Sequence, residues 1–495
     1  MKETYRSLLA PLNLSVDAEN KMTRILERTA SGNDTVLYSP IGQNLDPKDI
    51  LDGWDRIFNS KLAMIDPGLL GFEGNNRSKY GPRSIAVPWV DRTASVYDSY
   101  EADGSTKTLN IPRLGNRLRP LSDENALRYL KNTTNSGLPY LMKKGKVKPN
   151  LLKDMESLLG RKDPCVLFTR TQEGKKTRNV WCYPIADTLL EMQYYRPILD
   201  YQSQLPWRTS VTTPDRVDAA VVSIMKHAQA EDKFLVSIDF SAYDNSIKRT
   251  LIEASFNYFR SLFQEQYGEQ LNYIMERMIT IGIVTPDGIL SGDHGVPSGS
   301  TFTNEVDSVV QYLISQDYDT ERLDYLQVQG DDGLYACSDP ESLLDHFKSF
   351  KLNVNEDKSD TNKDYCLFLQ KYYSYYYLDK GIVGGIYPTY RALNRLVYPE
   401  RFIDFKEDLS GKDYFAIRTL SILENSKNHP LFRDFVEYVM SLDKYSLIPS
   451  DQGIAGYVKL RAKQDGEDVN FSRHSYGNST SIRDFASYKL VKSLS

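Results

Sequence analysis

Cysteine is scarce in this chain: four residues among 495, at positions 165, 182, 337 and 366. Their spacing matches neither a zinc site nor a disulfide frame, so they read as reduced core thiols. No run of 18 or more apolar residues exists, and a membrane-spanning helix is therefore not expected. The first residues, Met1-Lys-Glu-Thr-Tyr-Arg6, lack the apolar segment of a signal peptide. A strong net charge is also missing. Lys and Arg number 61 against 66 Asp and Glu, leaving −5, which argues against a surface coated throughout in nucleic acid. No internal repeat stands out. What is present is 40% hydrophobic and 26% charged residues, the balance of a soluble globular protein. The length exceeds what one core serves, so several subdomains are expected.

Charge is distributed unevenly. Between Lys143 and Arg178 stand eleven Lys or Arg against four Asp or Glu, a local +7. Such a run is most often a solvated face. In an acidic chain it also fits an internal anion channel.

Hydrophobic periodicity predicts helices over Val16–Arg28, from Ile185, over Pro214–Ala230, over Ile247–Phe263, from Asn304 to Ser315 and from Leu343 to Phe350. Apolar runs predict a strand at Phe234–Ile238 and a hairpin over 325–337. Short strands are also expected where Tyr80-Gly-Pro-Arg-Ser-Ile-Ala-Val-Pro-Trp89 turns apolar, at Leu352–Asn355 and at the aromatic run Tyr372–Tyr377. Those tyrosines are expected to pack rather than to stack on bases. The last 110 or so residues read as mostly helical, with a polar loop from about Gln464.

Two acidic motifs carry the chemistry. Asp239-Phe-Ser-Ala-Tyr-Asp244 follows the Phe234–Ile238 strand, and Gly330-Asp331-Asp332-Gly333 forms the hairpin turn 92 residues after Asp239. Each alone is an ordinary turn, because Asp and Gly dominate turns. Together they deliver carboxylates at strand ends from distant parts of the chain, which is what a two-metal phosphoryl-transfer centre requires. Magnesium binds through one or two carboxylates plus substrate phosphates, and Asp239 with Asp331 is the natural pair. Between them lies Gly295-Val-Pro-Ser-Gly-Ser-Thr-Phe-Thr-Asn304, a flexible loop opening a helix. Lys358 follows the hairpin as a candidate general acid, though an isolated lysine is usually only exposed. Lys175, Lys176 and Arg178, in a turn entering an apolar strand, have the spacing to grip a triphosphate.

The ordered set resembles the motifs of viral RNA-dependent RNA polymerases. Thr134-Asn-Ser-Gly-Leu-Pro139 is similar to motif G, 170–181 to motif F, Asp239 with Asp244 to motif A, and Ser298-Gly299 with Thr303 to motif B. Gly330-Asp331-Asp332 resembles motif C, the Lys358 segment motif D, and Phe368-Leu-Gln-Lys371 motif E. The stretches Tyr80-Gly-Pro-Arg-Ser-Ile85 and Gly295–Ser308 point to the double-stranded RNA virus branch, most like picobirnaviruses, with partitiviruses next.

The resemblance implies an α+β right-hand fold with fingers, an antiparallel palm sheet flanked by helices, and a mostly helical thumb. It implies an N-terminal extension over 1–70, fingers over 71–215 with 250–292 returning to them, palm over 216–249 and 293–380, and thumb and tail over 381–495. Catalysis would rest on Asp239, Asp331, Asp332 and Lys358, the three aspartates also holding Mg2+, with Mn2+ able to substitute. Nucleotide would meet Lys176, Arg178, Arg170, Asp244, Ser298, Thr303, Asp307 and Asn304. RNA would meet Thr134, Gly137, Pro139 and Gly299. The chain departs from many positive-strand relatives in carrying Asp307 where they have asparagine, which leaves Asp307 and Asn304 as alternative partners of Asp244 in ribose selection.

Implied partners are RNA template and product, ribonucleoside triphosphates and viral capsid protein. A monomer without membrane attachment, working inside the virion and in host cytoplasm, is expected. Reverse transcriptase is a rival, but Gln329-Gly330 before the aspartates does not fit it, and Asp244 favours ribonucleotides. A non-catalytic RNA-binding, capsid-associated protein is a second rival, which the intact acidic set opposes. The tail after Gln464, with Phe471, Arg473 and Tyr476, is long enough to fold back into a product exit and limit primer entry.

Overall fold

The computed structural model describes residues 3–42, 44–402, 409–465 and 481–495. It opens with helices α1 (Glu3–Leu9), α2 (Val16–Ser31), α3 (Pro47–Ser60), α4 (Pro67–Arg77) and α5 (Ala94–Glu101). Side chains of Ser15, Asp46 and Asp66 accept first-turn N–H groups of α2, α3 and α4, satisfying donors that a helix start leaves open. Next come α6 (Asp123–Tyr129), α7 (Lys144–Arg161), the hairpin β1 (Cys165–Thr171) and β2 (Thr177–Cys182), α8 (Ile185–Gln202) and α9 (Pro214–Ala230). The chain continues through β3 (Phe234–Ile238), α10 (Tyr243–Ser246), α11 (Arg249–Arg260), α12 (Gly268–Thr280), β4 (Ile283–Thr285), β5 (Gly288–Leu290) and α13 (Thr303–Gln316). A second hairpin, β6 (Leu326–Gln329) and β7 (Asp332–Cys337), precedes α14 (Pro340–Ser349), β8 (Asp360–Asn362), β9 (Tyr365–Phe368), β10 (Lys371–Ser374) and α15 (Tyr375–Leu378). Helices close the chain: α16 (Thr389–Val397), α17 (Gly411–Asn425), α18 (Phe432–Leu442), α19 (Asp451–Asp465) and α20 (Ala486–Leu494).

Two four-stranded sheets organise these elements. One has the order β6-β7-β3-β8, antiparallel throughout. The other has the order β2-β1-β4-β5, so the segment after α12 returns to the β1–β2 hairpin. α13 lies against β6, α11 against α13 and α12 against α11, around an aromatic and aliphatic core that includes Val236, Ile238, Phe256, Phe302, Val310 and Tyr335. Burying side chains of this size, at about 1.5–3 kcal/mol each, holds the helices to the sheet.

A second core joins the two ends of the chain. Trp54, Phe58 and Leu69 of the N-terminal helices pack with Tyr390, Leu393 and Phe435 of the C-terminal ones. At its centre the buried Glu73 carboxylate accepts hydrogen bonds from Thr389 N and Oγ1 and lies 2.8 Å from His429 Nε2. α2, at the other end of the same N-terminal region, lies against β1. The N-terminal helices thus touch both the β1–β2 hairpin, through α2, and the C-terminal helices, through α3 and α4. All four cysteines are free.

Three expected strands take other forms. Tyr80–Trp89 makes only a single bridge, Asn33 to Ala86, before a 3-10 turn at Trp89–Asp91, because Pro88 cannot donate to a ladder. Leu352–Asn355 makes one bridge, Phe240 to Val354, and β8 is the strand that pairs with β3 on that edge. Tyr372–Tyr377 is split. Its first half belongs to β10, and Ser374 then caps α15 by accepting from Tyr376 N at 3.2 Å. The tyrosines pack as expected: Tyr372 OH donates to Asp66 Oδ2 and Tyr373 OH to Asp218 Oδ1. The polar tail, where 466–480 would fold back, lies outside the described residues.

Candidate active site

The register of β3 on β7 brings the two acidic motifs together. Ile238 pairs with Gly333, so Asp239 leaves its strand beside Asp332, and Asp331 occupies the turn between β6 and β7. The β6–β7 turn is wedged against α13. Gly330 N donates to Ser308 Oγ at 2.8 Å, and Gln311 Nε2 donates to Gly330 O at 3.1 Å. Gly330 has φ +62°, and a Cβ there would lie 2.9 Å from Asn304 Nδ2. A Cβ on Gly333 would collide with Gln311 Oε1. Both glycines are needed because the turn's backbone touches the helix directly.

Asp239 is held by the segment around Lys358. Its backbone carbonyl accepts from Asn355 N at 2.8 Å and its Oδ2 from Asn355 Nδ2 at 3.2 Å, while its N–H donates to Ser359 Oγ at 3.1 Å. Burial raises the Asp239 carboxyl above the ordinary range; the Asp331 charge adds to the rise, and Lys358 and Lys176 oppose it. Burial, then Asp331 and Asp239, push Asp332 up to about 7. Asp331 and Asp332 have no side-chain hydrogen bond or ion pair among the described residues.

Among the described residues, no cluster of three or more ligating side chains forms a ready metal site. The acidic centre nevertheless fits a divalent cation. Its ligands would be two or three carboxylate oxygens that repel one another, with the remaining positions left to phosphate and water, as magnesium prefers. A cation there would relieve the repulsion that raises Asp239 and Asp332.

The cationic side of the site comes from the β1–β2 hairpin. Desolvation and the charges of Arg178 and Lys358 lower the Lys176 pKa, opposed by Asp239 and Asp331, so this lysine lies within reach of the acidic centre. Arg178 also bears on Asp244. Arg170 sits directly across the hairpin from Arg178, a like-charge pairing that costs stability and suits a polyanionic ligand. Its guanidinium, however, turns to Glu400 at 3.4 Å.

Asp244 meets Asp307. A hydrogen bond between the two carboxyls would require a proton on one of them. Burial raises both, Asp307 most strongly, and the buried Asp307 Oδ1 has no hydrogen-bond partner among the described residues. A protonated Asp307 presents a donor, as an asparagine would. Asn304 is differently employed: its Oδ1 accepts from Arg208 Nη2 at 2.8 Å.

The loop before α13 is pinned on several sides. Val296 N donates to Asp244 O at 2.8 Å, and a Cβ on Gly295 would strike that same carbonyl. Trp181 N donates to Ser298 O at 2.8 Å, and Gly299, at φ +147°, lies against Trp181 O where no side chain fits. Thr303 Oγ1 donates to Pro297 O at 2.8 Å. Glu191 of α8, buried, accepts from Ser300 Oγ at 2.7 Å and Thr301 N at 2.6 Å.

Thr134, Gly137 and Pro139 occupy a separate tight loop over 132–143. Gly137, at φ +64°, packs on Tyr183 O, and Thr134 O accepts from Lys144 N at 2.9 Å. Asn132 at its start donates to Gln464 O at 2.9 Å, so the end of α19 reaches this loop.

Asp239, Asp331, Asp332, Lys358, Lys176, Arg178, Asp244 and Asp307 therefore lie near enough to bear on one another's charge, while Arg170 and Asn304 are engaged elsewhere. Sequence reading overlooked Arg208, Glu191, Ser308, Gln311, Asn355 and Ser359. Ser308 and Gln311 carried a signal, polar residues three apart within an apolar helical stretch. Arg208, beside Thr209 and Ser210, carried none.

Comparison with known proteins agrees. The family model for viral RNA-dependent RNA polymerase matches residues 79–375. A potential RNA-dependent RNA polymerase of human picobirnavirus (strain Human/Thailand/Hy005102/-) is 28% identical over 494 residues, covering 92% of this chain and 90% of its own. The RNA-directed RNA polymerase of Cryptosporidium parvum virus 1 (strain KSU-1) is 27% identical over 281 residues, covering 50% of this chain and 53% of its own. The crystal structure of a human picobirnavirus RNA-dependent RNA polymerase superposes with TM-score 0.83 at 23% identity, covering 99% of both chains. Among the described residues no helix is long and apolar enough to cross a membrane.

Proposed function

The chain belongs to the viral RNA-dependent RNA polymerases, and from that premise we propose that it copies viral RNA by two-metal nucleotidyl transfer, for both genome replication and transcription. The observation that carries this reading is the β3–β7 register, which sets Asp239 against the Asp331–Asp332 turn.

Asp239 and Asp331, with Asp332 beside them, would hold Mg2+, or Mn2+ in its place. Two such ions supply activation of the attacking 3′-hydroxyl and charge stabilisation of the leaving pyrophosphate. Lys176 and Arg178 bind and orient the triphosphate. Asp244, backed by Asp307, reads the ribose 2′-hydroxyl, a group that both donates and accepts. Ser298 and Thr303 shape the floor beneath the nucleotide, and Lys358 gives a proton to pyrophosphate as it leaves. Thr134, Gly137, Pro139 and Gly299 guide the RNA. Most of the acceleration comes from positioning and electrostatics. On the family resemblance, the protein works as a monomer with capsid protein nearby, inside the particle and in host cytoplasm.

The test is incorporation on a short RNA template with Mg2+ or Mn2+. Asp331→Asn is expected to lower it on the order of a thousandfold or more, with RNA affinity retained. Normal incorporation by the folded variant refutes the metal assignment. Preference for deoxyribonucleotides by the unmodified protein refutes the assigned role of Asp244.

A further inference from the structure

Arg208 belongs to none of the polymerase motifs, yet it is 0% exposed and lies between two of them. It sits in the 3-10 turn Pro206–Val211 that joins α8 to α9. That turn runs along β6, the outermost strand of its sheet. Gln327 of β6 accepts from Thr209 N at 3.2 Å and donates to Pro206 O at 2.5 Å. Ser210 Oγ donates to Gln329 Oε1 at 2.7 Å. The turn thereby covers a strand edge that would otherwise stay open.

The Arg208 guanidinium reaches further. Its Nη2 donates to Asn304 Oδ1 at 2.8 Å and Glu305 Oε1 at 2.9 Å, both in the first turn of α13. Its Nη1 donates to Val328 O at 3.4 Å and to Gln329 Oε1, at the end of β6. Its Nε donates to Gln202 Oε1 at 3.2 Å, at the end of α8. Two residues beyond Glu305 is Asp307, and two beyond Gln329 is Asp331. One rigid planar group therefore spans the start of the helix that carries the sugar contact and the end of the strand that delivers the acidic turn. A planar fork fixes angle as well as distance, which an ammonium cannot do. Fold stability alone does not call for such a group, because apolar residues of similar volume often replace buried ion pairs at no loss.

We propose that Arg208 is a positioning residue for nucleotide addition, setting the spacing between the Asp244–Asp307 pair and the Asp331–Asp332 turn. The inference rests on the ribose-contact reading of Asp244 and Asp307.

The test uses the full-length protein with Arg208→Lys and, separately, Gln329→Ala, which leaves the Arg208–Glu305 pair in place. Thermal midpoint, RNA affinity, single-nucleotide addition rate and the ratio of ribo- to deoxyribonucleotide incorporation are measured. Arg208→Lys is expected to slow addition at least tenfold and to lose at least fivefold of sugar discrimination, with RNA affinity within twofold. Gln329→Ala shifts both quantities the same way by less. A folded Arg208→Lys with unchanged rate and ratio overturns the proposal. So does a slower enzyme with an unchanged ratio, which marks a merely structural role. If Arg208→Lys fails to fold, Gln329→Ala decides, and an unchanged ratio there overturns it. Failure of the unmodified protein to incorporate, or an absence of sugar preference in it, counts against the underlying reading instead.

Discussion

Single residues decide how closely the site's elements approach. Gly333 lies against Gln311, whose amide is engaged at both ends: Nε2 donates to Gly330 O at 3.1 Å, and Oε1 accepts from Tyr335 OH at 2.9 Å. A methyl group at Gly333 displaces that amide and breaks both bonds. Gly333→Ala is expected to cost about 1–3 kcal/mol in chemical denaturation, the usual range for overpacking, and to slow nucleotide addition.

Glu191 sets a pH dependence of its own. Burial, with a smaller push from Asp187, raises its carboxyl from 4.5 to about 8, against the hydrogen bonds from Ser300 and Thr301. Arg277, from α12, is spent on Asp187 at 2.8 Å and does not neutralise Glu191. The folded state thus binds the proton more tightly than the unfolded one. The stability this contributes is complete below the unfolded value near 4.5 and is lost as pH rises through about 8. Each pH decade is worth about 1.4 kcal/mol, so the whole term approaches ~5 kcal/mol. Denaturation midpoints measured from pH 5 to 8.5 should fall with pH, and Glu191→Gln should flatten that fall. Equal slopes in the two proteins would exclude Glu191 as the source.

Among the secondary-structure elements, α8 ties two neighbours to the site's floor. Its Asp187, 4% exposed, pairs with Arg277 of α12, whose Nη2 also donates to Asp163 O at 2.6 Å. Removing one partner of a buried pair strands the other charge, at about 3–5 kcal/mol. Asp187→Ala is therefore expected to lower the thermal midpoint clearly, whereas Asp187→Asn, which keeps an acceptor, lowers it less.

Elements with a complete local signal were legible before folding. β3 is a five-residue apolar run ended by a polar loop, and its observed limits, Phe234–Ile238, are those the run predicts. α9 likewise spans Pro214–Ala230, with proline at its first position. Leu352–Asn355 looked like a strand by composition, yet the neighbouring β3 edge is taken by β8, and a single bridge remains. Strand identity at an edge depends on which segment arrives to pair, and that information is not local.

Across the whole molecule, distant segments are joined by charges as well as by apolar cores. Glu173, at the tip of the β1–β2 hairpin, lies 2.7 Å from Arg391 Nη1 of α16 and 3.4 Å from Arg83 Nε. Burial works to raise the Glu173 carboxyl, but Arg391, a local backbone hydrogen bond and Arg83 outweigh it and hold it below the usual range. Glu173→Ala unlatches the hairpin from the C-terminal helices. A loss of about 1 kcal/mol corresponds to roughly fivefold in closure, and stalled RNA complexes should dissociate several-fold faster, with a steeper salt dependence. Dissociation rates equal to those of the unmodified protein at both low and high salt would show that the latch does not hold RNA.

The chain's own order of residues determined which chemistry was present. Paired aspartates behind an apolar strand and inside a glycine-flanked turn, with cations upstream, already defined a phosphoryl-transfer class, since motif spacing and local propensity are written within short windows. Tertiary structure alone decided how those groups are held. The β3–β7 register, the meeting of Asp244 with Asp307, the turn of Arg170 toward Glu400 and the buried fork of Arg208 join residues up to hundreds of positions apart. Such contacts form only when helices and strands pack to exclude water, and burial is what makes their hydrogen bonds and charges strong enough to fix geometry.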